Sequence, residues 1–447
     1  MTMQGRLNLF QRTMLRWRAL YPYNSVHVVS LAGPFDAPRL QQAIERVLAA
    51  AGLTGYELDA RQRRFTFNAA GGRDELRTPS GAELGILSAA DGAVAAAATE
   101  IERQLNASFG NTGRMTPFRF FAIGDDPGFR LGLAYDHFIA GGDSIVVLLR
   151  AIAEEYTGRN DPRGARDSGK VPAPLRRYPR TYGRLLLRHA RAAFIGMSHL
   201  PRMTRSLRRS VRPRYSDLCD GRNSFTHFSV PPEQFAHMLR SAKAWGVTVN
   251  DLWLALLLHS LAPLVPADRH TARRRDLAVA SIINIRDEIE AEAHTTFGQF
   301  LSSFRVAHPV PDGITLKELA RDIHTETARV KHERLYLQTL LALGVVGIAW
   351  RFLSTARRQR FHAKSYAILA GLTVLNVTPL WPGADAQAPP LQYLRGVSTG
   401  PLAPLVLAIT TVGNSLNAGV SYRTAAFDRA TVARLVSNLL HGVKTLG

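Results

Sequence analysis

Three observations in the sequence predict an α/β fold of two subdomains. Strand-like and amphipathic helical segments alternate along the chain, as expected where sheets are covered by helices. The chain has 447 residues, long for one simple core and comfortable for two. An arginine-rich stretch that begins with prolines then interrupts the alternation, and it sets expected divisions at 1–167, a basic linker at 168–218, and 219–447.

In chain order, Asn24 to Leu31 reads as a strand, Pro34-Phe35-Asp36 as a turn, and Ala37 to Ala51 as an amphipathic helix with Leu40, Ala43, Ile44 and Leu48 on one face. Glu100 to Leu105 reads as helix and Pro117 to Ile123 as strand. Gly124 to Gly128 supplies a turn, after which Phe129 to Tyr135 pairs back as a second strand. Ile145 to Tyr156 reads as a helix. In the C-terminal half, Gly246 to Ala255 opens a core helix that Thr248 or Asn250 can cap. Leu277 to Arg286 reads as a buried strand ending on an arginine. Leu405 to Thr411, Ser415 to Tyr422 and Phe427 to Leu440 close the chain as strand, strand and helix.

The segment Leu131-Gly132-Leu133-Ala134-Tyr135-Asp136-His137-Phe138-Ile139-Ala140-Gly141-Gly142-Asp143-Ser144 carries the chemistry. A strand ends on a histidine, which titrates near neutral pH, and a glycine pair follows that lets substrate approach the backbone. The helix expected at Ile145 would aim its first N–H groups at developing negative charge beside Gly142 and Ser144.

This segment resembles the condensation-domain and chloramphenicol-acetyltransferase-like acyltransferases, in which a strand runs into His-His-x-x-x-Asp-Gly-x-Ser and the second histidine deprotonates the acceptor. His137, Gly142 and Ser144 fall on the second His, the Gly and the Ser, while Asp136 replaces the first His and Gly141 replaces the Asp. Further landmarks are similar to those of the family and of wax ester synthases: the strand-turn-helix opening, the hairpin that begins Pro117-Phe118-Arg119, the helix start at Gly246 to Ala255, the strand ending on Arg286, Thr296-Phe297-Gly298-Gln299-Phe300, and Val374-Leu375-Asn376-Val377.

The resemblance implies two chloramphenicol-acetyltransferase-like subdomains with a channel between them. It implies an acyltransferase moving an acyl group from a carrier-protein or coenzyme A thioester to an alcohol or amine, in lipid or secondary-metabolite synthesis. His137 is then the general base, with Gly142 and Ser144 candidates for organising the oxyanion and the turn. In the family the missing aspartate holds an arginine; Arg286 is the counterpart here, with Asp143 or Asp136 supplying the carboxylate from a displaced position. Asn376 is expected near the acyl tunnel. No bound cofactor or metal is expected, the acyl-CoA or phosphopantetheinyl carrier being a substrate. The Gly141 departure supports the alternative of a catalytically silent module that binds a carrier protein or partner enzyme.

Cys219 is the single cysteine, so no intrachain disulfide forms. Met1 to Tyr23 mixes Arg6, Arg12, Arg16 and Arg18 among apolar residues and does not read as a secretory signal, so a cytoplasmic setting is expected. The net charge of +21 points to acidic partners. Twelve arginines and no acid lie between Arg176 and Arg214, among them Arg184, Arg188, Arg191, Arg202, Arg205, Arg208, Arg209 and Arg212, interleaved with aliphatic residues. This basic run reads as a solvated linker, as a peripheral contact with an anionic membrane at its inner face, or as a dock for an acidic acyl carrier protein. Nucleic acid is not expected, since zinc spacing, a helix-turn-helix signature and a basic-aromatic platform are missing. Thr339 to Trp350 is a second apolar run, short for a span of about 20 residues. It reads as a buried core helix, a dip into one leaflet, or a wall of an acyl tunnel.

Overall fold

The computed structural model describes residues 2–59, 61, 63–68, 84–89, 92–110, 113–125, 128–158, 181–266, 271, 273–289, 296–383 and 391–446. The strand-helix alternation folds as a mixed α/β structure built on a five-stranded and a six-stranded sheet, with a small four-stranded sheet beside them.

The five-stranded sheet runs in the order Tyr393–Val397, Asn24–Ala32, Gly128–Asp136, Phe118–Asp125, Leu84–Leu87. Its central strand Gly128–Asp136 is antiparallel to both neighbours and almost wholly buried, which accounts for its continuous apolar run. The helix Ala37–Ala50 covers this sheet with Leu40, Ala43, Ile44 and Leu48, the face its periodicity anticipates, and the Asp36 side chain caps it at Arg39 N. The edge strand Tyr393–Val397 arrives from the far end of the chain, so the C-terminal part completes the N-terminal sheet.

The six-stranded sheet runs Leu301–His308, Leu277–Asn284, Ala370–Asn376, Leu405–Val412, Ser415–Arg423, Asn223–Val230. Two parallel pairings surround Ala370–Asn376, and the remaining pairs are antiparallel. Behind it, the helix Val249–Leu261 is buried almost all round. Of the two caps open in the sequence, Thr248 is used, in a capping box with Asp251. Asp251 also meets His324 at 2.7 Å and Thr327 at 2.6 Å, so this fully buried carboxylate is satisfied by hydrogen bonds that hold its pKa low against burial.

The two large sheets touch where Tyr393–Val397 crosses Ser415–Arg423. A Cβ on Gly419 would lie 1.9 Å from the Arg395 carbonyl oxygen, so only glycine permits this approach.

Several sequence expectations move by a few residues. The helix expected from Glu100 runs Ala93–Asn106, and that expected from Ile145 begins at Gly142. Arg286 opens the four-residue helix Arg286–Ile289 rather than ending the strand. Within the basic run, Thr181–Arg188 and Ala190–Arg209 are helices, whereas Asn160 to Gly164, Pro172, Pro174, Pro179 and Arg176 lie outside the described residues. Of the run Thr339 to Trp350, all but Trp350, which opens the 3-10 turn Trp350–Phe352, belongs to the helix Leu337–Ala349, whose Leu337, Leu340, Leu343 and Gly347 are buried while Val345 and Ile348 are exposed. Among the described residues no single helix is long and apolar enough to cross a membrane.

Candidate active site

The central strand ends at Asp136, and a turn over His137 to Ile139, closed by Ile139 N donating to Asp136 O at 3.0 Å, delivers the chain to the helix Gly142–Thr157. Both faces of this turn are pinned. His137 N donates to Tyr23 O at 3.0 Å, its carbonyl accepts from Gln299 Nε2 at 2.7 Å, and the Phe138 carbonyl accepts from Gln11 Nε2 at 3.0 Å. Three separate parts of the chain therefore fix one backbone corner.

The His137 ring lines the channel between Tyr23 and Tyr135, with ring centroids 5.5 and 5.9 Å away. Burial and the Arg395 charge push its pKa down to about 4, against a backbone hydrogen bond at Ala140 that raises it. The imidazole is thus neutral and able to accept a proton at ordinary pH. Gly142 is the first residue of its helix, where an N–H finds no acceptor within the helix, and it lines the same channel.

The other sequence candidates occupy distinct places. Asp136 turns away to Arg18, with Oδ2 to Nε at 2.9 Å, and burial raises its pKa to about 7 although Arg18 pulls the other way. Asp143 reaches Arg286, with Oδ2 to Nε at 2.8 Å. Of the two carboxylates open in the sequence, the arginine takes Asp143. Arg286 further donates to Thr296 O at 2.5 Å, Ser144 Oγ at 3.0 Å and Gly298 O at 3.2 Å, and it lies 4.6 Å over the Phe300 ring. Ser144 is buried, and its Oγ also donates to Gly298 O at 3.2 Å, so this hydroxyl ties the helix start to the 296–300 loop. Asn376 is exposed at the end of its strand, where Oδ1 accepts from Thr378 N at 3.1 Å; the neighbouring Leu375 lines the channel instead.

The reason Gly141 is glycine follows from the same geometry. Its φ of −81° suits any residue, but a Cβ there would lie 2.7 Å from Asp143 Oδ1. The carboxylate of residue 143 fills the space that a side chain at 141 would use.

Sequence reasoning missed the polar floor. Arg395 and Tyr393 come from the edge strand, His27 from its neighbour, and His27 Nδ1 meets Tyr393 OH at 2.7 Å while Nε2 lies 3.4 Å from Tyr135 OH. The available signal was a lone arginine inside Tyr393-Leu394-Arg395-Gly396-Val397, a segment otherwise apolar enough to be a buried strand. Phe10, Met14, Leu343, Ile368 and Leu372 give the channel an apolar surface, and Ser25, Asn284, Ser303, Thr373 and Thr399 add polar groups to its walls. Thr339 and Leu343 place the apolar helix in the channel wall.

No family model matches the chain, and no curated protein sequence matches it. Solved structures do. The first condensation domain of the CDA synthetase superposes with a TM-score of 0.64 at 16% identity, over 99% of this chain and 96% of that one. The trichothecene 15-O-acetyltransferase of Fusarium sporotrichioides superposes with a TM-score of 0.69 at 12% identity, over 100% and 96%. The X-domain solved in complex with OxyB from teicoplanin biosynthesis gives a TM-score of 0.55 at 18% identity, over 99% and 93%. At these identities the likeness shows the fold: a condensation-domain-like arrangement of two chloramphenicol-acetyltransferase-like subdomains with a channel between them.

Proposed function

We propose that this chain, with its condensation-domain-like fold, transfers an acyl group from a thioester to the hydroxyl or amine of an acceptor, with His137 as general base. The observation that carries this reading is a neutral histidine ring facing a channel beside the open N–H of Gly142. The acceptor's O–H or N–H donates to the imidazole. As oxygen or nitrogen bonds to the thioester carbonyl carbon, the proton passes to His137 and the carbonyl oxygen takes the negative charge, which the Gly142 N–H and the helix start favour. Collapse expels the thiolate, and the imidazolium returns the proton to give free thiol and the ester or amide.

The donor is an acyl-CoA or an acyl carrier protein. A cleft lined by Arg205, Arg208, Arg209, Arg273 and Arg275 favours the carrier, whose acidic surface it would attract. Release of free thiol from acyl-carrier and acyl-CoA donors, with pooled alcohols and amines, tests the reading. Acceptor-dependent turnover is expected, falling by about 10²–10⁴ in His137→Ala. Carrier-dependent rates should fall as salt is added. Unchanged turnover in the variant removes His137 as the base; absent turnover with specific carrier binding moves the reading to a silent binding module.

A lipid surface is a second partner, favoured by one observation. Val345, Ile348 and Phe352, 69%, 62% and 82% exposed, form an apolar strip on the outer side of the channel wall. Exposed Arg351, Arg357 and Arg360 accompany it, and half-buried Arg12 and Arg16 feel the Arg351 charge beneath. An apolar strip ringed by arginines suits an anionic bilayer surface. Co-sedimentation with vesicles containing anionic phosphatidylglycerol should exceed that with pure phosphatidylcholine, and Phe352→Ser should weaken it by roughly 10-fold or more. Equal binding to both vesicles, or an indifferent variant, would remove this surface.

A further inference from the structure

The channel floor holds a buried cation that the acyl-transfer mechanism leaves without a task. Arg395 is 4% exposed and lines the channel from the face of the edge strand that it shares with Tyr393. Its Nε donates to Thr410 Oγ1 at 2.8 Å, and Nη2 donates to the carbonyls of Ile409 at 2.7 Å and Thr373 at 3.3 Å. All three acceptors are neutral. Among the described residues no carboxylate pairs with Arg395, and Nη1 has no acceptor. Nη1 lies 3.4 Å from the point that a Cβ on Gly142 would occupy. Arg395 Nη1 therefore stands beside Gly142, and both line the channel with His137.

A guanidinium held out of water without a counter-charge is unfavourable, and its field weighs on its neighbours. After burial, it is the main cause that lowers the pKa of both His137 and His27. A permanent positive charge that weakens the base would hinder turnover unless the substrate brings the missing negative charge. The free Nη1 carries two N–H groups that can meet a carboxylate, which leaves the Gly142 N–H to the thioester carbonyl.

We infer that Arg395 binds the carboxylate of the acceptor, and hence that the acceptors are hydroxy acids or amino acids. The inference rests on the acyl-transfer reading for the word acceptor, while the anion subsite itself stands on geometry. The carboxylate seats on Nη1, the hydroxyl or amine reaches His137, and the hydrocarbon part lies along the apolar walls. Seating the carboxylate also neutralises the charge that depresses His137, so the bound acceptor strengthens the base that deprotonates it. An ester of the same acid fits the walls and lacks this effect.

Calorimetric titration of the full chain with 3-hydroxydecanoate and with its methyl ester tests the subsite, using wild type, Arg395→Gln and Arg395→Lys. The acid should bind wild type about 10–100-fold more tightly than the ester. That preference should vanish in Arg395→Gln and survive in part in Arg395→Lys, with ester affinity alike in all three as the sign of an intact channel. Equal binding of acid and ester to wild type, which no folding defect in a variant can produce, overturns the inference. So does a preference that survives Arg395→Gln. If Arg395 served the oxyanion instead, the glutamine variant would slow thiol release with both acceptors equally and wild type would show no binding preference. Selective binding without turnover would sink the acyl-transfer reading and leave the subsite; turnover with equal affinities would do the reverse.

Discussion

Replacing Asp143 by alanine is expected to destabilise the protein by about 3–5 kcal/mol, because it removes the carboxylate that meets the Arg286 guanidinium in the interior. Arg286 is largely withdrawn from solvent, and it also donates to two backbone carbonyls and to the Ser144 hydroxyl. These three are neutral, so the loss of Asp143 removes a charged partner that they do not replace. Gly141→Asp alone should also destabilise, since its Cβ would meet Asp143 Oδ1 at 2.7 Å and two carboxylates would compete for one site. The double variant Gly141→Asp, Asp143→Gly should recover most of the loss, with the carboxylate of residue 141 entering the space that Asp143 vacates. Urea unfolding of the three variants measures this. Additive destabilisation in the double variant would mean that position 141 cannot reach Arg286, and a near-neutral Asp143→Ala would mean that the ion pair contributes little to the fold.

In the structure a carboxylate does meet Arg286, but it comes from Asp143, two residues beyond the position where the motif carries its acid. Counting residues from His137 finds glycine where an acid is expected. The counting fails because the chain enters a helix there, and residues 141 and 143 flank one corner of its first turn. The strand before the motif was legible because it is central, buried on both faces and therefore continuously apolar. The helix Ala37–Ala50 was legible because its burial follows its periodicity. The strand Tyr393–Val397 was not, because five residues carry little pattern and its partner, Asn24–Ala32, lies more than 360 positions away. The polar floor formed by Arg395, Tyr393 and His27 exists only through that pairing. The apolar run at 339–350 was ambiguous for a different reason: its helix buries one side in the channel wall and exposes the other, so two of its three readings describe opposite faces of one element.

Acid should weaken the fold between about pH 6.5 and pH 4, and the histidine that tests this most directly is His362. It is 2% exposed among Trp17, Trp350, Phe361 and Tyr366, with ring centroids 5.2–6.2 Å away. Among the described residues neither ring nitrogen has a hydrogen-bond partner, and burial pushes its pKa down to about 4. Its folded value lies below its unfolded value near 6.5, so the unfolded chain binds the proton first as pH falls. The stability associated with a neutral His362 is complete above about pH 6.5 and is lost as pH falls through the folded value near 4. At about 1.4 kcal/mol per pKa unit this amounts to roughly 3 kcal/mol. His137, at about 4, and His27, also depressed, act in the same direction. Asp136 opposes them: its folded value near 7 exceeds its unfolded one, so acid favours its folded form and offsets about one of the three histidines. The net effect is a loss on acidification. His362→Phe fills the same aromatic cage with a ring that cannot charge. Urea unfolding at pH 7 and at pH 4.5 should therefore show a smaller difference in the variant than in wild type, by up to about 3 kcal/mol. An equal pH dependence in the two proteins would mean that acid reaches and protonates His362 without opening the cage, and that the acid sensitivity arises elsewhere.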